Sequence, residues 1–432
     1  MRTQSSALDR ISARRVMERV DALAKHSELP GGLTRVYLSQ EQRAVNELVL
    51  GWMREAGMEA RLDAIGNCFG RYEGAKPGQP CLMLGSHLDT VRDAGRYDGM
   101  LGVITAIDCV HALNAAGNRL PFAIEVIGFA DEEGVRFGTT FLGSRAVAGT
   151  IRKEVLEAVD KEGVRLADAM RSFGLDPSRI GDAAHTRDQV LAYAELHIEQ
   201  GPVLEADGHA VGVVTAINGA SRYSLEVEGF AGHAGTVPMG LRKDALAAAA
   251  ECVLAIEVRA LAEPELVATV GKLETLPGAM NVIPGRVKFS LDLRSPRDAN
   301  REAAIAGVLA KMQAICERRG VKLHSTKMHD EPVTQCAGWM QAQIAAAIEG
   351  EGLKVRALPS GAGHDGMAIQ AIADIGMLFV RCKSGVSHNP AEAISEEDAG
   401  TATRVLLRFI ENFTASPAPC NVSKLAGEAR QS

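Results

Sequence analysis

The sequence has no strong excess of charge of one sign and no long apolar run, and these absences exclude several classes of protein. Among 432 residues, 47 are Lys or Arg and 54 are Asp or Glu, so the formal net charge is −7 and the basic footprint of a nucleic-acid-binding protein is missing. No apolar run approaches the ~20 residues that a membrane span requires. Hydrophobic residues still make up 46% of the chain and charged residues 23%, which indicates a folded globular protein and excludes a disordered chain.

The cysteines and the N-terminus carry no signature of secretion. The eight cysteines lie at positions 68, 81, 109, 252, 316, 336, 382 and 420, and no two of them form a CxxC pair. A chain of this length does not need disulfide staples, so we expect free thiols in a reducing compartment. The opening segment MRTQSSALDRISARRVMERV lacks the apolar core of a signal peptide. These observations predict a cytoplasmic protein with neither a nucleic-acid nor a membrane partner.

The chain divides into stretches of different character. Residues 1–212 alternate apolar strands with helical patterns, as α/β layer folds do, and the style returns after residue 330. Between them, residues 213–330 follow the order β-α-β-β-α-β. We therefore predict an α/β fold with two domains. A discontinuous catalytic domain (1–212 and 331–432) would contain a mixed central sheet flanked by helices, and an inserted ferredoxin-like domain (213–330) would close its own core.

Four apolar segments that we predict to be buried strands each run into potential metal ligands. The segments are 81–85, 122–130, 193–198 and 377–380. The residues reached at or beyond their ends include His87, Asp89, Glu132, Glu133, His197 and His388. Because open α/β sheets bind ligands beyond the carboxyl ends of their strands, these side chains should converge. A single histidine there is more often structural, but four coincidences predict a site for Zn²⁺ or a similar divalent ion.

Asp98 and the adjacent pair Glu132 and Glu133 add the groups that a two-metal hydrolase needs. Asp98 precedes a predicted helix, where it could be an N-cap, but a carboxylate can also bridge two metals ~3.5–4 Å apart. Of two adjacent glutamates, one can bind metal while the other takes a proton from water. Asp89 follows His87 by two residues and is suited to holding that imidazole in one tautomer.

The sequence resembles the M20 family of dinuclear metallohydrolases. Within it, the chain is similar to the branch that cleaves ureido and carbamoyl groups: allantoate amidohydrolases, N-carbamoyl-L-amino acid hydrolases and β-ureidopropionases. The motifs that carry the resemblance are GSHLDTV (85–91), GRYDGMLGV (95–103), DEEGVRF (131–137), HIEQGPVLE (197–205), GHAGTVPM (232–239), SGAGHDG (360–366) and GVSHNPAE (385–392). They cover most of the chain, and HIEQGP and GHAGT distinguish this branch from the M20 peptidases.

The resemblance implies roles for the matching residues in a dinuclear centre. Two divalent ions per subunit would share one carboxylate, with His87, Asp98 and His197 around one ion and Asp98, Glu133 and His388 around the other. Glu132 would be the general base, and Asp89 would be the outer partner of His87. Zinc is the expected metal, with Mn²⁺, Co²⁺ or Ni²⁺ as alternatives, because histidine and carboxylate ligands suit all four.

The resemblance also implies substrate contacts and a homodimer built through the inserted lid domain. The lid histidine His233 would reach the active site of the partner subunit and stabilise the oxyanion. Contacts to a small ureido-carboxylate substrate would come from His233, Gln200, Asn281, Arg294 and Gly363. Arg294 alternates with apolar residues of its predicted strand, so it is not a core residue, and a guanidinium can hold a carboxylate bidentately. A surface salt bridge for Arg294 and a plain turn for Asn281 are the alternatives.

The implied reaction is hydrolysis of a ureido or carbamoyl C–N bond. The segments at 381–392 and 33–37 favour allantoate, which would yield ureidoglycine, ammonia and carbon dioxide. An N-carbamoyl-L-amino acid hydrolase or β-ureidopropionase that releases the free amino acid is the alternative, and an M20 peptidase is a more remote one.

Two alternatives arise from outside this reaction class. SGAGHDG matches the dinucleotide fingerprint at Gly361, Gly363 and Gly366, but Arg381 stands where an acid is expected and no second βαβ half follows. A metal-stabilised binding protein without catalysis would not need the free Glu132. The sequence has no GxSxG, HExxH or GxxxxGK[ST] motif of other hydrolase classes.

Overall fold

A computed structural model describes residues 6–415 of the chain, which separate into two compact units. The first unit comprises residues 6–215, Cys336–Leu358 and residues 364–415, and the second comprises Ala216–Gln335 and Pro359–Gly363. All seven cysteines in this part of the chain are buried and unpaired, whereas Cys420 lies outside the described residues. No helix within residues 6–415 combines the length and apolarity needed to cross a membrane.

The elements follow one another along the chain with short connections. The strands are β1 (Glu59–Leu62), β2 (Cys68–Tyr72), β3 (Cys81–His87), β4 (Ala123–Phe129), β5 (Val190–Ile198), β6 (Val211–Ile217), β7 (Gly219–Glu228), β8 (Gly232–His233), β9 (Val267–Thr269), β10 (Leu273–Leu276), β11 (Val282–Ile283), β12 (Arg286–Ser295), β13 (Lys322–Glu331), β14 (Thr334–Gln335), β15 (Ala357–Ser360) and β16 (Ile375–Val380). The α-helices are α1 (Ala13–Leu23), α2 (Gln40–Glu55), α3 (Met100–Ala116), α4 (Leu142–Val147), α5 (Leu166–Phe173), α6 (Val203–Asp207), α7 (Ala245–Leu261), α8 (Asp298–Arg318), α9 (Gly338–Gly350), α10 (Gly366–Ile369) and α11 (Glu396–Asn412). Short 3₁₀ helices cover Leu8–Arg10, Lys153–Glu157, Pro177–Ala183, Met239–Leu241 and Lys383–Gly385.

The first unit is built on a mixed sheet with the strand order β1-β2-β4-β3-β5-β16-β6. β3 runs parallel to β4 and β5, and β5 runs parallel to β16, while β2 and β6 pair antiparallel with their neighbours. The four parallel strands are those predicted from the apolar segments, and they are almost entirely buried, as strands covered by helices on both faces should be. Their carboxyl ends therefore meet at one edge, and the predicted α/β class with a mixed central sheet is confirmed.

Helices cover both faces of this sheet. One apolar cluster joins the strands to α1, α2, α3, α9 and α11, and a second, smaller cluster surrounds α4 and α5. α2 begins where the Ser39 side chain accepts the backbone N–H of Gln42 at 3.0 Å, which is half of a capping box. Gly57 follows its end with φ +86°, a conformation that favours glycine.

Helix α3 is buried along most of its length and begins at Met100, two residues after Asp98. Its N-cap is Gly99, with φ +75°, so Asp98 is not the capping residue. A Cβ atom at Gly99 would lie 2.5 Å from the His87 ring. Glycine is therefore required here by both the backbone angle and the close approach of the Asp98 turn to His87.

The second unit is an antiparallel sheet with helices on one face. Its strand order is β10-β12-β7-β13, and β9 also pairs with β12. Alternate residues of β7 and β12, such as Leu225 and Phe289, pack with α7 and α8 in one apolar cluster, because side chains alternate between the faces of a strand. Its elements follow the order β7, β8, α7, β9, β10, β11, β12, α8 and β13, and the short strands β8 and β11 pair with each other.

The segment SGAGHDG does not form a dinucleotide site of the usual kind. The helix that follows it, α10, has only 4 residues. In a dinucleotide-binding fold, the pyrophosphate lies at the N-terminus of a full helix that crosses back to the next parallel strand. The structure gives this alternative no support.

Candidate metal centre

Two predicted histidine ligands face one oxygen of a third predicted ligand, Asp98. All three lie at the edge of the first unit's sheet where the parallel strands end. His87 is the last residue of β3, and His197 is the next-to-last residue of β5. The Nε2 atoms of His87 and His197 lie 3.3 Å and 3.2 Å from Oδ1 of Asp98. All three side chains are buried. The first half of the predicted ligand set is thus one compact group.

The second half of the set gathers around the other oxygen of Asp98. His388 Nε2 lies 3.4 Å from Asp98 Oδ2 and 3.4 Å from Glu133 Oε1. Each oxygen of Asp98 therefore faces a different set of predicted ligands, which is the arrangement that a carboxylate bridging two metal ions requires. The side chain of His388 is 49% exposed and that of Glu133 only 12%, so His388 forms the open side of the first unit's centre.

Backbone carbonyls fix the orientation of both buried imidazoles. Nδ1 of His87 lies 3.0 Å from the carbonyl oxygen of Asp89, and Nδ1 of His197 lies 2.9 Å from that of Ile198. Since a carbonyl only accepts, each Nδ1 carries a proton, and Nε2 is the ring atom that faces Asp98. In the neutral imidazole this Nε2 carries the lone pair that binds a metal ion, and when Nε2 is also protonated it donates to Asp98 instead. This geometry fits a metal ion.

Asp89 contacts its predicted partner His87 through its main-chain carbonyl, whereas its carboxylate binds other groups. The carboxylate Oδ1 is 3.7 Å from His87 Nδ1, beyond hydrogen-bond distance. Instead Oδ1 accepts the backbone N–H of Glu132 at 3.0 Å, and Oδ2 accepts that of Glu133 at 3.1 Å. Asp89 thereby joins the loop after β3 to the loop after β4. Ligand atoms of His87, Glu132 and Glu133 lie within 4.8 Å of one another, so Glu132 borders the centre.

The centre is rich in carboxylates and short of positive charge. Burial opposes ionisation of Asp98, but hydrogen bonds with His197 and His87 outweigh it and hold the pKa of Asp98 well below 3.8. Burial raises the pKa of Glu132 well above 4.5, with the charge of Glu133 adding to it. Burial also raises the pKa of Glu133 to about 7. Divalent cations would supply the missing charge and favour the ionised forms. Nitrogen and oxygen donors in this mixture fit several divalent metals.

Asp98 is also held by polar side chains that do not belong to the ligand set. Nε2 of Gln200 and Oγ of Ser387 donate to Asp98 Oδ2 at 2.7 Å and 2.5 Å. Gln200, a predicted substrate contact, thus orients the shared carboxylate. Its Oε1 is buried and finds no hydrogen-bond partner among residues 6–415, so an acceptor is left for a ligand.

Sequence reasoning did not single out Ser387 or Glu392, although both lie in GVSHNPAE. Glu392 is buried, and its Oε1 accepts the backbone N–H of Tyr97 at 2.7 Å and of Asp98 at 3.1 Å. A serine and a glutamate in a polar loop carry no periodic signal. Only their position beside His388 could have drawn attention to them.

The remaining predicted residues lie in the second unit. His233 pairs with Val282 between β8 and β11, and the carbonyl of Asn281 accepts the N–H of Ala234 at 3.0 Å. The structure therefore brings the His233 loop and the Asn281 turn together.

Arg294 is held in place by its neighbours within the second unit. Its Nε and Nη2 donate to the carboxylate of Asp292 at 2.8 Å and 2.9 Å, and its Nη1 donates to the carbonyl of Gly361 at 2.7 Å, two residues before Gly363. Sequence reasoning missed Asp292. Its spacing of two residues from Arg294 along one strand was the available signal, because such residues share a face.

The chain is similar to known proteins over most of its length. Residues 83–412 match the peptidase family M20/M25/M40. The chain is 42% identical over 401 residues to an N-carbamoyl-L-amino acid amidohydrolase of Geobacillus stearothermophilus, covering 93% of this chain and 98% of that protein. It is 39% identical over 428 residues to allantoate deiminase 1 of Glycine max, covering 92% and 88%. Among solved structures, a hydantoinase/carbamoylase family amidase from Burkholderia multivorans superposes with a TM-score of 0.89 at 31% identity, covering 94% of this chain and 99% of that one.

Proposed function

Because the chain belongs to the peptidase family M20/M25/M40, we propose that it hydrolyses the ureido group of allantoate to give ureidoglycine, ammonia and carbon dioxide. The protein is a hydrolase that acts on amide or ureido bonds. Hydrolysis of an N-carbamoyl-L-amino acid is the second candidate, favoured by the relative of that name from Geobacillus stearothermophilus.

The observation that carries the proposal is the position of Asp98 between two groups of donors. One oxygen faces His87 and His197, and the other faces His388, which also contacts Glu133. In the proposal these five residues hold two divalent ions. Zinc is the preferred choice, with Mn²⁺, Co²⁺ and Ni²⁺ suited to the same donors. When bound, the ions would polarise the substrate carbonyl and make water more acidic.

Glu132 is proposed as the general base. It takes a proton from the attacking water, which adds to the carbonyl carbon of the ureido group, and then gives the proton to the leaving nitrogen. The C–N bond breaks, and the carbamate product decays to ammonia and carbon dioxide. Ligand atoms of Glu132, His87 and Glu133 lie within 4.8 Å of one another, so Glu132 is placed beside the proposed ions, where the attacking water would be. Asp89 keeps Glu132 in position through the backbone hydrogen bond.

Five side chains or backbone groups are proposed to bind the substrate. Gln200 offers its unpaired Oε1 to an N–H of the ureido group. Arg294 and Asn281 hold the carboxylate, and Gly363 contacts the substrate through its backbone. His233 is proposed to act from the partner subunit as the donor that stabilises the oxyanion.

The proposal includes a homodimer formed through the second unit, which would also serve as the lid. An apolar stripe on α7 supports it. The exposed residues Leu254, Val258 and Leu261 repeat at the helical spacing, with exposed fractions of 60%, 65% and 81%. Exposed apolar residues at this spacing favour a helix that packs against another protein surface, and a second copy supplies the same stripe.

Ammonia release tests the proposed substrate. The protein would be reconstituted with Zn²⁺ or Mn²⁺ and assayed against allantoate, a panel of N-carbamoyl-L-amino acids and a set of dipeptides. A preference for allantoate supports the first candidate, and a preference for an N-carbamoyl-amino acid selects the second. Cleavage of dipeptides without ammonia release from any ureido compound would overturn both in favour of a peptidase.

A further inference from the structure

We propose that Glu392 is a positioning residue that fixes the distance between the ligands Asp98 and His388, with Ser387 as its relay. This inference rests on the proposed metal centre but not on the choice of substrate. It concerns two residues to which neither the ligand set nor the reaction assigns a role.

The Glu392 carboxylate connects two loops that are far apart in sequence. Oε1 accepts the backbone N–H groups of Tyr97 and Asp98 at 2.7 Å and 3.1 Å, which fixes the main chain that carries the shared carboxylate. Glu392 itself follows His388 by four residues, so the same side chain anchors the His388 loop. One carboxyl oxygen that accepts two backbone N–H groups ties the turn at Asp98 to Glu392 at two points.

Ser387 completes the connection at the side-chain level. Its Oγ lies 2.5 Å from Asp98 Oδ2 and 3.3 Å from Glu392 Oε2. Asp98 Oδ2 is the oxygen that faces His388, whereas Oδ1 faces His87 and His197. The relay through Ser387 therefore acts on the His388 side of the centre.

The Glu392 side chain is closely packed. Gly95, in the loop that leads to Asp98, lies so close that a Cβ atom there would overlap the Glu392 side chain. Glu392 is 4% exposed. His388, in contrast, is half exposed and has φ +53°. The buried Glu392 therefore provides a firm attachment between the His388 loop and the turn at Asp98.

Metal binding, rather than activity, tests the inference. Metal-free protein would be titrated with Co²⁺ and followed by visible absorbance and equilibrium dialysis, for the wild type, Glu392→Ala, Glu392→Gln, Ser387→Ala and His388→Ala. The wild type should bind two equivalents. Glu392→Ala should weaken one of them by about 10–100-fold, the usual effect of losing an outer-shell partner, and leave the other within a few-fold.

The conservative variant and the double variant separate positioning from a general structural effect. Gln keeps an oxygen that can accept the two backbone N–H groups and presents an N–H to Ser387, so Glu392→Gln should restore most of the affinity. Ser387→Ala should fall between wild type and Glu392→Ala. In the double variant Glu392→Ala/His388→Ala, the loss should not exceed that of His388→Ala alone, because both changes remove the same site.

Glu205→Ala is the matched control. The Glu205 carboxylate also accepts a backbone N–H of this loop, from Ser384 at 2.7 Å, but it is exposed and its hydrogen bond is not made to Asp98. It should bind Co²⁺ like the wild type. Melting temperatures of all metal-free variants would be recorded alongside, since loss of fold lowers both equivalents together.

Three results would overturn the inference: wild-type affinities in Glu392→Ala, equal weakening of both equivalents, or additive losses in the double variant. Absence of Co²⁺ binding by the wild type would overturn the metal centre and the inference together. A wild type that binds two equivalents but releases no ammonia from any ureido compound would contradict only the proposed function.

Discussion

The carboxylate of Asp89 accepts the backbone N–H of Glu132 at 3.0 Å, so the residue two positions after one histidine of the centre fixes the position of the proposed base. The loops after β3 and β4 are thereby held as one piece. The position of the proposed base therefore depends on a residue outside the proposed ligand set.

Replacing Glu132 by Gln should lower kcat by about 10²–10⁴-fold, because Gln cannot take the proton from water. Metal content should stay near that of the wild type, since Glu132 is not among the proposed ligands. Steady-state ammonia release and elemental analysis of the same preparation check both parts. Retained turnover in this variant would contradict the assignment of Glu132 as the base.

Replacing Asp89 by Asn should weaken metal binding about 10–100-fold, because the amide presents an N–H to a site where two backbone N–H groups need acceptors. Competition with a chelator measures the change. Asp160→Asn is the matched control, since the Asp160 carboxylate also accepts two backbone N–H groups, of Glu162 and Val164. Equal effects of the two substitutions on metal affinity would refute a specific role for Asp89.

Replacing Arg294 by Lys should raise KM for a carboxylate substrate about tenfold, or ~1.4 kcal/mol, because an ammonium cannot form the bidentate contact. Arg222→Lys serves as the comparison: Arg222 also contacts Asp292, at 2.9 Å, but has no proposed contact with substrate. Its KM should be unchanged. Should both variants behave alike, the effect would belong to the salt-bridge network and not to substrate binding.

Replacing Val258 by Glu should convert the protein to monomers at micromolar concentration, since it places a charge within the apolar stripe on α7. Sedimentation velocity gives the mass directly. Val159→Glu changes an equally apolar, 53% exposed side chain in the first unit and should leave the mass of the wild type. A dimeric Val258→Glu variant would locate the interface elsewhere.

The pair His185 and Glu125, 3.0 Å apart, should make stability depend on pH. Burial lowers the pKa of His185, but Glu125 raises it above 6.5 overall. The contribution of His185 to the free energy of unfolding is therefore full below pH 6.5 and is lost as pH rises through the folded-state pKa. Burial raises the pKa of Glu125, but His185 and Arg71 lower it below 4.5 overall. The contribution of Glu125 to the free energy of unfolding is therefore lost only as pH falls through the folded-state pKa of Glu125.

His185→Gln should therefore lose more unfolding free energy at pH 6 than at pH 9, by about 1–2 kcal/mol for one charge-assisted hydrogen bond. Urea denaturation at the two pH values measures the difference. His324→Gln, which removes an exposed partner of Glu228, should show little difference. An equal loss at pH 6 and pH 9 in His185→Gln would mean that the pair is not charged in the folded protein.

His87, Glu133 and His197 were predicted to share one edge of a sheet because each lies at or beyond the end of a short apolar segment typical of a buried strand. The ends of the predicted strands then indicated which residues lie at the same edge of the sheet, and no knowledge of side-chain packing was needed. The alternation of Phe289, Leu291 and Leu293 similarly identified the face of β12 opposite Arg294. Local pattern and a general rule of sheet topology were sufficient for these residues.

The roles of Glu392 and of the Asp89 carboxylate were not predictable from the sequence. Their partners lie 294 and 43 positions away in sequence, and no periodicity records such a contact. The same holds for the tautomers of His87 and His197, which are set by main-chain carbonyls. Polar contacts between loops depend on the folded arrangement of the whole first unit, so only the folded structure reveals them.

The discontinuity of the first unit has a consequence for the order of events during synthesis. His388 lies beyond the segment that forms the second unit, so the ribosome delivers it after His87, Asp98, Glu133 and His197 have already emerged. A nascent chain that has reached residue 335 holds four of the five proposed ligands and lacks His388, so it can complete only the His87 and His197 side of the proposed centre. Binding of both proposed ions would therefore require a chain that has been synthesised past β16 and has folded back onto the sheet.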